Sequence, residues 1–148
     1  RELAAIARRT RRDLVAATGL RYLTQQCVAA AFALRSRAAA AGLAVDVDSG
    51  GIRTSRVLFD DRRESVYSPL VSHAWAKHGD VIIDLTATQF WCVADVYVTR
   101  NDDRYVGGYV RNAAVLGMAR DEADVARVLG ILGIRVDDLR ALDASVAA

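Results

Sequence analysis

Apolar residues follow a helical period at both ends of the chain and an alternating period in its middle. Residues 2–17 are rich in Ala, Leu and Arg and stop at Gly19, which predicts a first helix. Residues 25–41 predict a second helix, because Thr24 is a natural N-cap and no helix breaker occurs before Gly42. The apolar face of this second helix consists mostly of small side chains, so it can lie close against a sheet. We expect it to be the central helix of the fold.

The alternating region predicts a run of short strands. Leu43, Val45 and Val47 alternate with small or acidic residues, and the segment 49–51 (Ser-Gly-Gly) predicts a turn before a second strand at 52–60. Further strands are predicted at 70–77, 81–86, 93–99 and 104–110, with turns at 78–79, 87–92 and 101–103. Helices return at 112–119, 121–132 and 136–146. This order predicts an α+β domain in which the central helix packs on an antiparallel meander, flanked by further helices.

Composition and charge exclude several classes of protein. At 148 residues, with 53% hydrophobic and 26% charged residues, the chain has the balance of one globular domain rather than of a disordered or fibrous protein. Its formal net charge of +2 is too small for a dedicated nucleic-acid surface. The arginine cluster at positions 8, 9, 11 and 12 predicts a solvent-exposed helix face. No run approaches the ~20 apolar residues that a membrane span needs. We therefore expect neither nucleic acid nor a membrane span.

The cysteines and histidines predict neither a disulfide framework nor a metal site. Cys27 and Cys92 form no CxxC pair, which favours a reducing compartment such as the cytoplasm. Together with His73 and His78 they lack a standard zinc spacing, and the chain has no P-loop or dinucleotide-binding motif, so no metal and no cofactor are expected. Cys92, beside Trp91, is expected to be buried in the core, and His78 to lie in a loop. The first residues are no signal peptide and lack Met, which predicts a domain of a longer protein.

A histidine and a carboxylate are expected to meet on one hairpin. A two-residue turn at 78–79 would place His73 directly opposite Asp84, with Cβ atoms about 4.5–5.5 Å apart. A carboxylate at that distance fixes the tautomer of an imidazole and stabilises the imidazolium, as a catalytic histidine requires. Trp75 and Ile82 share this face and are expected to exclude water from the pair.

Cys27 is the candidate nucleophile. It lies in the first turn of the predicted central helix, where unpaired N–H groups and the helix dipole favour a thiolate. With His73 beside it, the thiolate can attack a carbonyl carbon, and the Cys27 N–H can donate to the oxyanion that forms. A hydroxyl cap from Thr24 would compete for that N–H. Taken singly, such a cysteine is usually a core hydrophobe and such a His–Asp pair a structural one. The three residues in this order favour a thiol active site.

This order of residues resembles that of the papain-like and transglutaminase-like cysteine enzymes. Gln26 and Cys27 open an Ala-rich helix, and His73 stands two residues before Trp75. Residues 82–90, which read IIDLTATQF, are similar to a phrase of small bacterial papain-fold domains. Many of those domains lie at the C-terminal ends of toxin or effector proteins.

The resemblance implies a single papain-like domain over residues 1–148, with a catalytic core at about 20–110 and a helical part at about 111–148. Papain-type enzymes carry a Gln several residues before the nucleophile as an oxyanion donor, but position 21 here is Arg. Their third residue is Asn, whereas Asp84 follows the transglutaminase-like choice. The candidate oxyanion donors and substrate contacts are Gln25, Gln26, Tyr22, Trp75 and Gln89.

For function, the resemblance implies acyl transfer through a Cys27 thioester, with His73 as base and then acid and Asp84 orienting it. It favours a cysteine protease of bacterial toxin or effector type, delivered as part of a longer secreted protein. Its partners would be a protein substrate and a cognate immunity or inhibitor protein. A protein deamidase or a transglutaminase would use the same triad. The rival classes are a small-molecule acyltransferase, which needs a closed pocket over Cys27, and an inactive binding module, in which Cys27 is unreactive.

Overall fold

Helices at both ends of the chain enclose a middle region of strands, which confirms the predicted α+β class. The computed structural model describes residues 2–23, 25–54, 57–58, 64–65, 70–92, 94–119 and 121–147. Its α-helices are α1 (Glu2–Thr18), α2 (Cys27–Ala40), α3 (Glu122–Ile131) and α4 (Val136–Ala147). Its strands are β1 (Asp46–Arg53), β2 (Val57–Leu58), β3 (Glu64–Ser65), β4 (Leu70–His78), β5 (Val81–Asp84), β6 (Tyr97–Thr99) and β7 (Tyr105–Val106). Short 3-10 helices lie at Ala87–Gln89 and Asn112–Met118.

The main sheet is antiparallel and has the order β6-β5-β4-β1-β7, while β2 and β3 form a separate two-stranded ribbon. Strands β4, β5 and β6 therefore form a meander, as predicted, and β1 lies beside β4. The last strand departs from that pattern, because β7 crosses to the opposite edge and pairs with β1 through Ile52 and Tyr105. There the Tyr105 side chain joins the apolar cluster that contains Ile52 and Trp75, which accounts for the crossing.

The predicted turn at Ser49-Gly50-Gly51 is wrong, because β1 runs without interruption through all three residues. Both glycines are buried inside the strand. A Cβ atom on Gly50 would collide with the carbonyl oxygen of Val106, and one on Gly51 with the Leu70 side chain. The pair of glycines therefore permits the close approach of neighbouring segments rather than a reversal of the chain.

The two faces of the sheet are covered differently. The helices cover one face, where α2 packs on Val47, Ala74 and Ala76 and is buried around most of its circumference. This agrees with the prediction that the Ala-rich helix is central, because its small side chains let the helix approach the strands closely. The opposite face carries a second cluster made of Ile52, Trp75, Ile82, Phe90 and Tyr105.

Arg11 corrects the expectation that the arginine cluster of α1 is solvent-exposed. Positions 8, 9 and 12 are exposed, but Arg11 is only 4% exposed. It falls on the same helix face as Ala7 and Leu14, both fully buried, since residues three and four apart share a face. Its guanidinium donates to the carbonyl oxygens of Leu85 and Arg21, at 2.7 Å each.

The ends of the four α-helices and of β4 and β5 agree with the predictions to within a few residues. The strand predicted at 52–60 lies partly outside the described residues, and the ribbon strands β2 and β3 were not predicted as two short strands. The central helix begins at Cys27 rather than at 25, and Thr24 lies outside the described residues. The segment predicted as helix at 112–119 is a 3-10 helix, and the strands predicted at 93–99 and 104–110 shorten to β6 and β7. In the described part of the chain, no helix has the length and apolar character needed to cross a membrane.

Candidate active site

The hairpin of β4 and β5 brings His73 and Asp84 to the same face, on a register that differs from the predicted one. Its turn is Gly79-Asp80, with Gly79 at φ 61°, and His78 pairs with Val81. A positive φ at the first central residue suits the favoured two-residue hairpin turns, which accounts for the position of the turn. The same register continued places Asp84 across from Trp75. His73 is therefore a diagonal neighbour of Asp84, not its direct partner as predicted.

The His73 and Asp84 side chains are in direct contact. His73 Nε2 lies 2.7 Å from Asp84 Oδ2, and the two residues are 2% and 1% exposed. Thr86 donates to the other carboxylate oxygen from its N–H at 2.8 Å and its hydroxyl at 3.1 Å. The Tyr105 hydroxyl donates to Oδ2 at 2.7 Å. Four donors thus hold one buried carboxylate in a fixed orientation toward the imidazole.

The charge of Asp84 keeps His73 protonated. Burial by itself lowers the pKa of His73, but the charge and hydrogen bond of Asp84, with a smaller contribution from the Cys27 side chain, raise it to about 10. Burial likewise opposes ionisation of Asp84, yet the His73 charge and the hydrogen bonds from His73, Tyr105 and Thr86 lower the pKa of that carboxyl. Burial and the negative charge of Asp84 raise the pKa of Tyr105, so its hydroxyl remains a donor. The resting pair is therefore an imidazolium facing a carboxylate.

Cys27 is the first residue of α2 and the third member of the group. Its side chain lies close enough to the His73 ring to contribute to the raised pKa of His73, and since Nε2 faces Asp84, the remaining ring nitrogen is Nδ1. Cys27 is a free, half-buried cysteine. At N1 of a helix its backbone N–H has no helical acceptor, and the dipole favours negative charge on its side chain.

The chain reaches Cys27 through an irregular segment. Leu23 and Gln25 have positive φ angles of 51° and 60°, although neither is glycine. Leu23 is fully buried, and its carbonyl accepts from the Gln26 N–H at 3.0 Å. Residues held at positive φ cost about 1–3 kcal/mol each and are concentrated at functional sites. This strain lies directly before the candidate nucleophile.

An aromatic wall lies against His73. The Phe90 ring meets the imidazole edge-on at 4.8 Å between centroids, and the Trp75 ring lies 6.0 Å away. Tyr105 packs edge-on against Trp75 at 5.0 Å. Trp75 and Ile82 belong to this apolar cluster, as predicted, and the cluster separates the His–Asp pair from water on that side.

The other candidate residues surround the site less directly. The Gln26 amide is directed toward α3, where it donates to Asp124 at 3.4 Å. Gln25 is exposed, and the half-buried Tyr22 ring lies below the Arg21 guanidinium. Gln89 is buried in the 3-10 helix after β5, and Trp75 is buried in the aromatic wall. Cys27, His73 and Asp84 are thus close together, with His73 between the other two. The five other candidate residues lie around this group.

Two functional contacts have no counterpart among the sequence candidates. Thr86 follows Asp84 by two residues, a spacing at which a carboxylate often accepts from the backbone, so a local signal existed. Tyr105 has no such signal, because it reaches Asp84 only through the crossing of β7 to the far edge of the sheet.

Two expectations outside the triad need correction. Cys92 was expected in the core, but it is half-buried, with its thiol 3.7 Å from the Ala94 carbonyl oxygen. His78 was expected in a loop, but it is the last residue of β4, exposed, with Nδ1 2.7 Å from the Ala44 carbonyl oxygen. Within the described residues, no three His, Cys, Asp or Glu side chains are grouped so that they can hold a metal ion.

An apolar groove of about 330 Å³ lies elsewhere, between α1 and strands β5 and β6, and none of the three triad residues lines it. Comparison of the chain with protein-family models, with curated proteins and with solved structures yields no match. The chemical interpretation of the site therefore depends on the triad geometry and on the motifs in the sequence.

Proposed function

We propose that this chain is a thiol-dependent acyl-transfer enzyme, a cysteine protease of the papain-like and transglutaminase-like type. One observation carries the proposal: His73 hydrogen-bonds Asp84 at 2.7 Å and lies near enough to the Cys27 thiol for that thiol to contribute to the raised pKa of His73. That arrangement allows one imidazole to hold a thiolate and to exchange protons with a substrate, while the carboxylate fixes its orientation. The order Cys, His, Asp along the chain and the resemblance of residues 82–90 to papain-fold domains support it.

In the first half-reaction, the Cys27 thiolate attacks the carbonyl carbon of the scissile amide. The C–S bond forms, and the carbonyl oxygen takes negative charge, which the N–H groups at the start of α2 can stabilise. The His73 imidazolium then gives its proton to the amide nitrogen. The C–N bond breaks, the amine leaves, and the acyl group remains on Cys27 as a thioester.

In the second half-reaction, neutral His73 takes a proton from water as the water oxygen attacks the thioester carbon. Collapse of this intermediate breaks the C–S bond and releases the carboxylic acid. The thiolate and the imidazolium are restored. Asp84 carries no proton in either step; it stabilises the imidazolium and fixes the ring for both transfers.

The site is open to solvent on the side of Cys27. Cys27 is half-buried, whereas His73 and Asp84 are covered on all sides. An acyl group therefore approaches from the side of Cys27, where the α2 N-terminus lies. The resemblance to toxin and effector domains favours a protein substrate, and it implies an immunity or inhibitor protein that covers this opening.

The same thioester also serves two related activities. An amine in place of water as acceptor gives transamidation, and attack on a side-chain amide gives deamidation. Asp84, which matches the transglutaminase-like third residue, is the observation that favours this second candidate.

Intact-mass spectrometry of an unstructured test protein, casein, after incubation with the chain tests the proposal and separates these outcomes. Two fragments indicate proteolysis, conversion of an amide to an acid indicates deamidation, and a joined species indicates transamidation. Cys27→Ala must abolish the change, and Cys92→Ala, the matched control, must retain it. An unchanged casein, together with a Cys27 no more reactive than Cys92, would reject the enzyme in favour of a binding module.

A further inference from the structure

The buried guanidinium of Arg11 connects two irregular segments, one that precedes Cys27 and one that follows Asp84. Arg11 Nη1 donates to the Leu85 carbonyl oxygen at 2.7 Å, and Leu85 directly follows Asp84. Arg11 Nη2 donates to the Arg21 carbonyl oxygen at 2.7 Å, and Arg21 begins the strained segment that leads to Cys27.

A second hydrogen bond between described residues also joins these two segments. A hydrogen bond from the Thr88 hydroxyl to the Tyr22 carbonyl oxygen joins them at 3.5 Å, which is long for such a bond. Among the described residues, the Asp95 carboxylate lies 3.9 Å from the guanidinium and is mostly exposed, so it is farther from Arg11 than the two carbonyl oxygens, which lie at 2.7 Å. A planar guanidinium presents two donors in a fixed fork, which sets the distance between the oxygens it binds.

We propose that Arg11 is a positioning residue of the active site, holding the segment before Cys27 against the segment after Asp84. The inference depends on the proposed function. His73 is hydrogen-bonded to Asp84 and lies near Cys27, so a change in the spacing of the two segments changes the separation between the thiol and the imidazole. Arg11 itself touches neither the reacting atoms nor the substrate.

A second buried arginine offers a matched control. Arg35 is 3% exposed, lies on α2 and binds the Val45 carbonyl oxygen and Asp143. It stands eight residues after Cys27, about 12 Å along the helix axis. Arg35→Met therefore removes a buried guanidinium from the same core without touching either segment of the triad.

The test measures the rate at which iodoacetamide labels Cys27 at about pH 6.5, at a temperature where every variant is folded. We expect Arg11→Met to slow labelling about tenfold, since displacements of about 1 Å in a reacting pair have large effects. Arg35→Met should leave the rate unchanged even when its melting temperature falls as far. Arg11→Lys, which keeps the charge but not the fork, should be intermediate, and it replaces Arg11→Met if that variant does not fold.

A double-mutant cycle with His73→Ala separates positioning from a structural role. If Arg11 acts through His73, Arg11→Met slows labelling in the parent but adds little in the His73→Ala variant. Additive losses, or equal labelling of Arg11→Met and the parent, would overturn the inference about Arg11 alone. A parent in which Cys27 is labelled no faster than Cys92 would instead overturn the proposed function, and the inference with it.

Discussion

His73 and Asp84 are two positions out of register on neighbouring strands, yet their side chains meet at 2.7 Å. Because this contact is diagonal, the residue directly across from Asp84 is Trp75. The Trp75 ring packs against both His73 and Tyr105. Tyr105 then reaches the same carboxylate oxygen as His73. If the histidine were directly across from Asp84, it would occupy position 75, where Trp75 now forms part of the aromatic wall. The offset therefore lets one oxygen of the buried Asp84 carboxylate accept hydrogen bonds from both His73 and Tyr105.

We expect Asp84 to act on His73 mainly through its negative charge rather than through the shape of its side chain. In Asp84→Asn, burial still lowers the pKa of His73 and only the smaller contribution of Cys27 opposes it, so the protonated imidazole is less stable than in the parent. We expect Asp84→Asn and Asp84→Ala to lose activity alike, by at least about 100-fold. The pH dependence of Cys27 labelling and of catalysis measures both. An Asn variant with most of the parent's activity would show that Asp84 only orients the ring, and unchanged activity in both would remove Asp84 from the mechanism.

The Tyr105 hydroxyl should stabilise the ionised Asp84. Tyr105→Phe keeps the ring in its packing but removes a buried hydrogen bond to a charged group, which costs about 1.5–3 kcal/mol. Urea unfolding measures this loss, and Cys27 labelling should slow several-fold. Tyr109, 59% exposed, supplies the control Tyr109→Phe, which should alter neither quantity. Equal stabilities of the two variants would contradict the assignment.

The two cysteines should differ in reactivity although both are half-buried. The Cys27 thiol faces the His73 imidazolium, whereas the Cys92 thiol lies near the Ala94 carbonyl oxygen. Limited iodoacetamide labelling at about pH 6–7, followed by peptide mapping, should therefore modify Cys27 first. His73→Ala should slow labelling of Cys27 and leave that of Cys92 unchanged. The same rate at both sites, before and after this substitution, would indicate that Cys27 is not an activated nucleophile.

The His73–Asp84 pair should make stability depend on pH in two windows. The pKa of His73 is raised in the folded state, so its contribution is complete below its usual value of 6.5 and is lost as pH rises toward about 10. The pKa of Asp84 is lowered, so its contribution is complete above its usual value of 3.8 and is lost as pH falls through the lowered value. The net contribution of the pair is therefore greatest between these usual values.

Urea unfolding of the parent and of the double variant His73→Gln/Asp84→Asn, at intervals from about pH 3 to pH 10, measures this dependence. Their difference in unfolding free energy should be most favourable to the parent between about pH 4 and 6.5 and should change on either side. A difference that stays constant over the whole range would show that the pair does not carry its charges in the folded protein.

Gly50 should not tolerate even a methyl group. A Cβ atom there collides with the Val106 carbonyl oxygen, so Gly50→Ala must displace β7 and with it Tyr105. We expect a loss of about 1–3 kcal/mol in unfolding free energy, together with slower Cys27 labelling. Gly130→Ala is the control, since Gly130 lies within α3 in open space, and there alanine should stabilise by up to about 1 kcal/mol. A harmless Gly50→Ala would mean that β7 can shift without loss of the site.

Local patterns in the sequence determined the order of the elements and the three chemical groups of the site. Period and caps depend on neighbours a few residues apart, so α1, α2 and the hairpin of β4 and β5 were predictable. The hairpin turn was misplaced, yet His73 and Asp84 still share a face. A shift of register by two residues preserves the alternation of side chains, whereas a shift by one would have separated them.

Only the tertiary structure decided the contacts that support the triad. The crossing of β7 to the edge of β1 places Tyr105 on Asp84, and it gives Gly50 a packing role rather than a turn. The burial of Arg11 depends on which segments cover α1. Its acceptors are backbone carbonyl oxygens, which every residue carries, so the sequence does not indicate which of them will bind the guanidinium. Such contacts join residues as far as 74 positions apart, so their free energy depends on the packing of the whole domain. The sequence could name the candidate groups, but the distances between them are set by that packing.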